Sequence, residues 1–361
     1  MKYQQPQTFP FSKLAFIDID NTITLNGSGT GNPELILKIR KLLLKKQFLF
    51  CPTTSRTEEM MMSSKTYEQS KKIFSFKRPI PNLFLYQGKY SYKDPLLVEP
   101  KSILDGDIII SSSGSKIYIK QSSYAYQEDD CFYDANFPKP HIWRNSITAL
   151  IHQINKIYNV ALFSELENVD RYINGTNNVY PPDYRIQLFF NNVVDKLFFI
   201  DELLKIKTSS NDISIQTLFT TDDSNPEKNK FSIYLTPKNG KISAVDHVIN
   251  HFKTDLQISN PEILFVGDSW PDLQMGLNCA PNNPNVTFFL IGGSRLTKYI
   301  TDPNKISFAG ESLVSMKQNI IETDNKGIFL FKNNNLTRKI IISDIIFPEK
   351  SGPDSLIEFL S

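Results

Sequence analysis

The stretch Leu14-Ala15-Phe16-Ile17-Asp18-Ile19-Asp20-Asn21-Thr22 decides how the chain folds, because an apolar run passes directly into a polar cluster. Four successive apolar residues, 14–17, are typical of a strand that is buried on both faces. Asp18 and Asp20 follow at alternate positions, which places both carboxylates on one side of the chain. Two such carboxylates can share a divalent cation, or divide the roles of nucleophile and acid. A solvated strand end with an Asp cap is the plainer interpretation, and for this stretch alone both remain open.

A strand–helix–strand unit extends from this stretch. Pro33 begins an amphipathic helical pattern, and residues 48–51 form a second apolar run. Such a unit implies a parallel sheet that binds ligands at the carboxyl ends of its strands. A helical pattern at 244–252 and buried runs at 263–266 and 286–291 indicate that the same sheet resumes later. The predicted fold class is therefore α/β, with a Rossmann-like parallel sheet.

The residues between these two parts show a different order of predicted helices and strands. From about 141 to 235 the order is helix, two strand-like runs, helix, and two strand-like runs, which indicates an α+β module on its own sheet. The predicted helices are 146–158 and about 193–207, and the strand-like runs are about 160–165, 184–190, 213–219 and 230–235. We therefore predict a core in two parts, residues 1–138 and 236–361, interrupted by an α+β domain at 139–235.

Two segments of the core are harder to interpret. The stretch 74–107 contains four prolines and predicts an irregular excursion. Strand-like runs at 328–331 and 339–342 either complete the core or form a surface for a partner.

Composition excludes several classes of protein. The 361 residues include 40 Lys and Arg against 38 Asp and Glu, and this balance does not indicate a nucleic-acid partner. No run approaches the ~20 apolar residues of a membrane span, and the N-terminus lacks the apolar stretch of a secretory signal. Three scattered cysteines suggest neither a disulfide framework nor a zinc knuckle. We expect a cytoplasmic protein with neither nucleic-acid nor membrane partners.

Two further polar clusters follow predicted strands. Thr54-Ser55-Arg56 offers hydroxyls and a cation to an anion, although an ordinary helix N-cap is an alternative. Gly267-Asp268-Ser269-Trp270-Pro271-Asp272 places its second Asp about one helical turn after the first, on the same side. A capped helix start also explains this pattern.

In this order, each after its strand, the clusters resemble the haloacid dehalogenase superfamily of aspartate-nucleophile phosphohydrolases. Residues 18–22 are similar to its first motif and residues 267–272 to its fourth, while Thr54 and Lys241 stand at the second and third. The resemblance covers roughly residues 13–120 and 236–295.

The chain departs from the superfamily pattern at two positions. Asn21 stands where many members carry Gly, and Lys241 is followed by Ile242 where Gly is usual, so Lys238 competes for the third role. The predicted inserted domain lies between the second and third motifs. This position resembles that of the second type of cap domain in the superfamily. Within the superfamily, the chain is loosely similar to the sucrose-phosphate and mannosyl-phosphoglycerate phosphatase branch.

The resemblance implies a Mg²⁺-dependent phosphomonoester hydrolase that works through an aspartyl-phosphate. It implies that Asp18 attacks phosphorus, and that Asp20 acts as acid and then as base. It also implies that Asp18, the main-chain carbonyl of Asp20 and Asp268 hold Mg²⁺, while Asp272 orients Asp268 or a metal-bound water. The implied phosphate-binding residues are Thr22, Thr54 and Lys241.

The expected substrate is a small phosphorylated metabolite, with a sugar phosphate favoured, because a large cap encloses a small molecule. The alternatives are a phosphomutase or a phosphoprotein phosphatase of the same superfamily, or a non-catalytic binding protein on this fold. The four acids of the first and fourth motifs argue against a non-catalytic protein.

His247 and His251 are four residues apart in a helical pattern, a spacing that can bind zinc. The intervening residues lack the Glu of a metalloprotease, which favours ordinary helix histidines.

Overall fold

The computed structural model describes about half of the first predicted core part, most of the second, and portions of the residues between them. The described residues are 12–24, 33–55, 83–86, 89–92, 108–122, 125–129, 132, 140–158, 186–209, 220–222, 232–236, 240–256, 259–291, 295–301, 319–333, 336–350 and 352–361. The strands are β1 (Lys13–Ile17), β2 (Phe48–Pro52), β3 (Leu83–Tyr86), β4 (Lys89–Tyr92), β5 (Ile108–Ser111), β6 (Lys116–Ser122), β7 (Ala125–Glu128), β8 (Ile186–Phe189), β9 (Thr220–Asp222), β10 (Ser232–Thr236), β11 (Glu262–Gly267), β12 (Val286–Leu290), β13 (Ile320–Glu322), β14 (Ile328–Asn333) and β15 (Leu336–Ile342). The helices are α1 (Pro33–Lys45), α2 (Pro140–Tyr158), α3 (Val193–Ser209), α4 (Gly240–Leu256), α5 (Trp270–Asn278), α6 (Arg295–Thr301), α7 (Ser343–Ile346) and α8 (Pro353–Leu360).

A seven-stranded sheet forms the centre of the fold, in the order β13-β14-β15-β12-β11-β1-β2. The strands from β15 to β2 run parallel, and β14 and β13 add an antiparallel edge. The α/β class with a Rossmann-like parallel sheet is therefore confirmed.

Both faces of this sheet are buried, as the apolar run of β1 predicts. Leu14 and Phe16 face the side covered by α4 and α5, and Ala15 and Ile17 face the side covered by α1 and α8. Since adjacent strand residues point to opposite faces, a four-residue apolar run serves two helical layers at once.

The stretch 74–107, predicted as an irregular excursion, contains two strands that its prolines do not indicate. β3 and β4 pair there as antiparallel strands and join a sheet of order β3-β4-β7-β6-β5. Prolines at the flanks are compatible with strands, because they lie outside the paired residues. A parallel bridge between Thr53 and Ile110 connects β5 to the end of β2.

The described part of the predicted inserted domain contains a sheet of order β8-β10-β9 together with α2 and α3. The helix predicted at 146–158 begins earlier, at Pro140, since proline is well tolerated in the first helical turn. Strand-like runs predicted at about 160–165 and 213–219 lie outside the described residues, and the boundaries 139 and 235 stay a prediction.

The C-terminal part belongs to the core. β15 pairs with β12 and β14 pairs with β15, so both strand-like runs complete the central sheet. α8 then packs against α1. Within the described ranges, no helix has the length and apolar character needed to cross a membrane.

Candidate active site

Three neighbouring parallel strands bring the predicted polar clusters to one edge of the central sheet. β1 lies between β2 and β11, and Asp18 follows β1 directly. Asp268 follows β11, and Thr53 and Thr54 follow β2. β2, which pairs with β1 on one side, is the next strand in the sequence, whereas β11, which pairs with β1 on the other side, comes much later. The strand order therefore reverses here, and α/β sheets bind ligands at such points.

A tight turn holds the first acidic cluster after β1. The Thr24 amide donates to the carbonyl of Ile19 at 3.0 Å, and Asn21 has a φ of 59°. Asn and Gly tolerate this left-handed conformation better than other residues. The backbone therefore explains why Asn21 stands where the resembling motif often carries Gly. Asp18 is buried in this turn and Asp20 is half-buried.

Lys241, in the first turn of α4, lies between two of the acids. Its Nζ donates to Asp18 Oδ1 at 3.1 Å and to Asp272 Oδ1 at 2.7 Å. The side chains of Asp18 and Lys241 are 9% and 11% exposed, and that of Asp272 is fully buried. The structure thus joins residues from the first, third and fourth predicted motifs. Lys238, the competing lysine, lies outside the described residues.

Burial and mutual repulsion change the proton affinities of these groups. Burial, followed by the charge of Asp272, raises the pKa of Asp18 well above its usual value, although Lys241 opposes the shift. The same two causes raise the pKa of Asp268 to about 7. Burial disfavours the charged form of Lys241, but Asp18 and Asp272 prevail and raise its pKa. The acids therefore carry more negative charge than one lysine offsets, which favours a bound cation.

Three of the acids can present oxygens to one metal ion. Carboxylate oxygens of Asp18, Asp268 and Asp272 all lie within 4.8 Å of one another. Asp272, however, uses Oδ1 for Lys241 and Oδ2 for Ser269, whose amide and hydroxyl donate at 3.2 and 2.5 Å. Asp272 is therefore suited to orienting Lys241 and Ser269. Asp18 and Asp268 are the more available metal ligands.

The start of α5 is both a helix cap and part of the site. Ser269 is the N-cap residue, and Asp272 returns its side chain to the amide of Ser269. Gly267 permits this arrangement, because a Cβ there would lie 2.3 Å from the Cβ of Asp272. The capped helix start and the functional interpretation of residues 267–272 therefore describe the same geometry.

Gly114 and Gly240 help to position Lys241. The sequence alone does not link these two glycines. A Cβ on Gly114 would lie 2.2 Å from the carbonyl carbon of Gly240, and a Cβ on Gly240 would lie 2.4 Å from the Ser113 oxygen. Gly114 also has a φ of 88°. Two backbones thus touch directly beside Lys241. No local pattern indicates the contact of Gly114 with Gly240, which is distant in sequence.

The predicted phosphate-binding threonines are buried close to this edge. The Thr54 amide donates to the carbonyl of Ile110 at 2.9 Å, and its carbonyl accepts from the amide of Ser113 at 3.1 Å. The Thr22 hydroxyl is buried without a hydrogen-bond partner among the described residues. Arg56 lies outside the described residues.

Comparison with solved structures finds similarity at low sequence identity and modest TM-score. No family model and no curated protein sequence matches it. One similar structure is a sugar phosphatase of haloacid dehalogenase subclass IIB, with 14% identity, 79% of this chain and 89% of that chain covered, and a TM-score of 0.41. A second is a haloacid dehalogenase-like hydrolase from Bacillus subtilis, with 14% identity, coverages of 83% and 93%, and a TM-score of 0.41. A third is trehalose-6-phosphate phosphatase from Aspergillus fumigatus, with 11% identity, coverages of 78% and 83%, and a TM-score of 0.42.

Proposed function

We propose that the protein is a Mg²⁺-dependent phosphomonoester hydrolase that forms an aspartyl-phosphate on Asp18. The observation that carries this proposal is the pair of bonds from Lys241 to Asp18 and Asp272, beside Asp268. A nucleophilic carboxylate, a cation for the phosphoryl group and a metal-ligating acid then meet at one sheet edge. This is the set that phosphoryl transfer to a carboxylate requires.

The acids of the site fit Mg²⁺. Their oxygens are hard ligands within 4.8 Å of one another, and burial, followed by the charge of Asp272, raises the pKa of Asp18 and of Asp268. Asp18 and Asp268 would hold the ion, with the main-chain carbonyl of Asp20 as the further ligand that the superfamily resemblance implies. When bound, the ion offsets the repulsion between the Asp18 carboxylate and the phosphoryl oxygens.

Asp18 is the nucleophile in this proposal. Lys241 binds its Oδ1, and we expect Oδ2 to attack phosphorus. The new bond joins Oδ2 to phosphorus, and the bond from phosphorus to the ester oxygen of the substrate breaks in line. The Asp18 amide donates to the carbonyl of Val266 at 2.9 Å, which fixes the backbone of the nucleophile against β11.

Asp20 supplies and removes the proton. As an acid it protonates the departing alkoxide, and as a base it then takes a proton from the water that hydrolyses the aspartyl-phosphate. The second step releases inorganic phosphate and returns both Asp18 and Asp20 to their starting states. Its half-buried position two residues after Asp18 suits a group that serves both the leaving group and the water.

Lys241, Thr54 and Thr22 would bind the phosphoryl oxygens. Lys241 is charged throughout, because its pKa is raised, and it already lies within hydrogen-bond distance of the nucleophile. The Thr22 hydroxyl is a buried donor without a partner among the described residues, and a phosphoryl oxygen would satisfy it.

We propose a small phosphorylated metabolite as substrate, with sugar phosphates the favoured class. The proposed cap, residues 139–235, would enclose a molecule of that size and exclude bulk water during the transfer. A phosphoprotein would need a more open site.

A panel of phosphorylated metabolites assayed with Mg²⁺ tests this function. We expect inorganic phosphate to be released from one class of sugar phosphate without a bisphosphate activator, and phosphopeptides to be poor substrates. A requirement for the activator would instead indicate a phosphomutase.

The variant Asp18→Asn tests the nucleophile. We expect it to lower kcat by at least about 10³-fold while circular dichroism shows a folded protein. Asp246→Asn is the matched control. Asp246 lies on α4, and its carboxylate accepts a hydrogen bond from the Ala280 amide, which Asn can also accept. Wild-type turnover in Asp18→Asn would contradict the proposal.

A further inference from the structure

A second group of metal-ligand side chains lies on α4, further along the helix than the candidate active site. His247 and His251 are one turn apart and project from the same face. Asp129 follows β7 directly and reaches this face from the five-stranded sheet. Six residues separate His247 from Lys241, or about 9 Å along the helix.

The three side chains already converge. His247 Nε2 lies 2.7 Å from Asp129 Oδ2, and the centroids of the two imidazole rings are 4.4 Å apart. One ligand atom from each of His247, His251 and Asp129 lies within 4.8 Å of the others. Ligands of a tetrahedral zinc ion are about 3.3 Å apart at Zn–N bonds of about 2.0–2.1 Å. Side-chain adjustments of an ångström or so therefore close the set around an ion.

Asp129 and His247 are held in place by their surroundings. The Asp129 amide donates to the carbonyl of Ile117 at 2.9 Å, and its Oδ1 accepts from the amide of Phe132 at 3.0 Å. The buried ring of Phe132 packs against His247, with centroids 4.9 Å apart. One oxygen of Asp129 is thus used to fix the carboxylate while the other faces the imidazole. Such supporting bonds are typical of metal ligands.

The chemistry of this set differs from that of the candidate active site. Imidazole nitrogens favour Zn²⁺ and neighbouring transition metals, whereas an all-carboxylate set favours Mg²⁺. Asp129 and His247 are 12% and 24% exposed, and His251 is exposed. An ion therefore has a route to the site, and water can complete its coordination.

We propose that His247, His251 and Asp129 form a site for a divalent transition metal, with Zn²⁺ the favoured ion. The bound ion joins the middle of α4 to the end of β7. It thereby fastens the helix that carries Lys241 to the five-stranded sheet, and it stabilises the folded chain because the unfolded chain does not present this geometry. This site does not depend on the function proposed above.

The test uses the full chain, freed of metal with a chelator and then supplied with excess Mg²⁺ to saturate carboxylate sites. Zn²⁺ is titrated by calorimetry, and Co²⁺ by its visible absorption, which reports nitrogen ligation in a site of low coordination number. We expect one equivalent of Zn²⁺ to bind and to raise Tm by at least about 3 °C.

Variants assign the ligands. His251→Ala and Asp129→Asn should each weaken Zn²⁺ binding at least about 10-fold, because even indirect partners of a metal contribute that much. His152→Ala is the matched control, since His152 is also exposed on a helix but lies on α2. Asp268→Asn should retain the Zn²⁺ affinity of the wild type. Failure of the wild type to bind Zn²⁺, or undiminished binding in His251→Ala, would overturn the proposal and leave Asp129 and His247 as a hydrogen-bonded pair.

Discussion

Lys241 controls the charge balance of the candidate active site. It bonds to Asp18 and Asp272, while Asp268 lies close enough for its own pKa to rise to about 7. Lys241 opposes the rise in the pKa of Asp18, so the ionisation of the nucleophile depends in part on this lysine. A carboxylate nucleophile must be ionised to attack phosphorus, which makes Lys241 important before any substrate binds.

Replacing Lys241 by Met retains most of the side-chain volume and removes the charge. In metal-free protein at pH 8, we expect the free energy of unfolding to fall by about 3–5 kcal/mol, since Asp18 and Asp272 lose their buried counter-charge. Because the pKa of Asp268 is raised to about 7, the native state binds more protons than the unfolded state between about pH 4 and pH 7, and the raised pKa of Asp18 acts in the same direction. Stability contributed by these acids therefore falls as the pH rises through that window.

The loss caused by Lys241→Met should accordingly shrink when the pH is lowered from 8 to 5, because this change crosses the pKa of about 7 of Asp268 and moves toward the raised pKa of Asp18. Urea unfolding of both proteins at the two pH values measures this difference. Lys253→Met, on the same helix near its C-terminal end, is the control and should show only a small loss at either pH. An equal loss at pH 5 and pH 8 would show that Lys241 acts through packing rather than charge.

Helix α4 is positioned by backbone contact rather than by side-chain packing alone. Gly240 touches the 3₁₀ turn Ser112–Gly114, and Lys241 follows immediately. The same turn donates from Ser113 to the carbonyl of Thr54. A single short segment therefore sets the places of the second and third motif residues.

The variant Gly240→Ala tests this contact. Its Cβ would meet the Ser113 oxygen at 2.4 Å, and two backbones cannot move apart as a flexible side chain does. We expect a loss of about 1–3 kcal/mol in the free energy of unfolding. We also expect a fall of at least about 10-fold in kcat/KM, because Lys241 is displaced with the helix start.

Gly327→Ala provides the comparison for Gly240→Ala. Gly327 has a φ of 81° and its Cβ would lie 2.9 Å from Ile345. It precedes β14, which is separated from β1 by β15, β12 and β11 in the central sheet. It should lose similar stability while kcat/KM of the folded protein stays near the wild-type value. Equal effects of the two variants on kcat/KM would refute a special role for the Gly240 contact.

Elements with strong local patterns could be predicted from sequence, and elements defined by distant pairing could not. β1, β2, β11 and β12 are short apolar runs bounded by polar residues, so their existence and their parallel order follow from pattern and connection length. Asp18 and Asp268 follow β1 and β11 directly, so their proximity can be inferred from the same pattern. The close approach of Gly114 and Gly240 depends on a register that no local pattern encodes, and the prolines near β3 and β4 masked two strands.

On the scale of the whole molecule, the C-terminal part completes the core that the first β-strand begins. Arg338 on β15 is buried and donates to the carbonyls of Cys279, Ala280 and Asn283. These carbonyls follow α5, the helix that begins with the Asp272 cap. Residues near the end of the chain therefore fix the far end of an active-site helix, although nothing in their local sequence indicates it.

Helix α8 closes the face of the sheet that lies behind Asp18. Leu356, Ile357 and Leu360 are buried there, and α8 packs on α1. Leu356→Ala should lower the free energy of unfolding by about 2–5 kcal/mol, because it opens a cavity in a buried apolar layer. Glu358→Ala, on the exposed side of the same helix, should change it by less than about 0.5 kcal/mol.

Urea unfolding of the two variants measures both values, and phosphate release well below the unfolding transition separates stability from catalysis. Since α8 contacts the sheet from the face opposite α4 and α5, the folded fraction of Leu356→Ala should retain the wild-type kcat. A large fall in kcat with little loss of stability would mean that this layer positions Asp18 directly. The cover of the sheet and the chemistry at its edge would then be coupled across β1, whose alternate residues contact both layers.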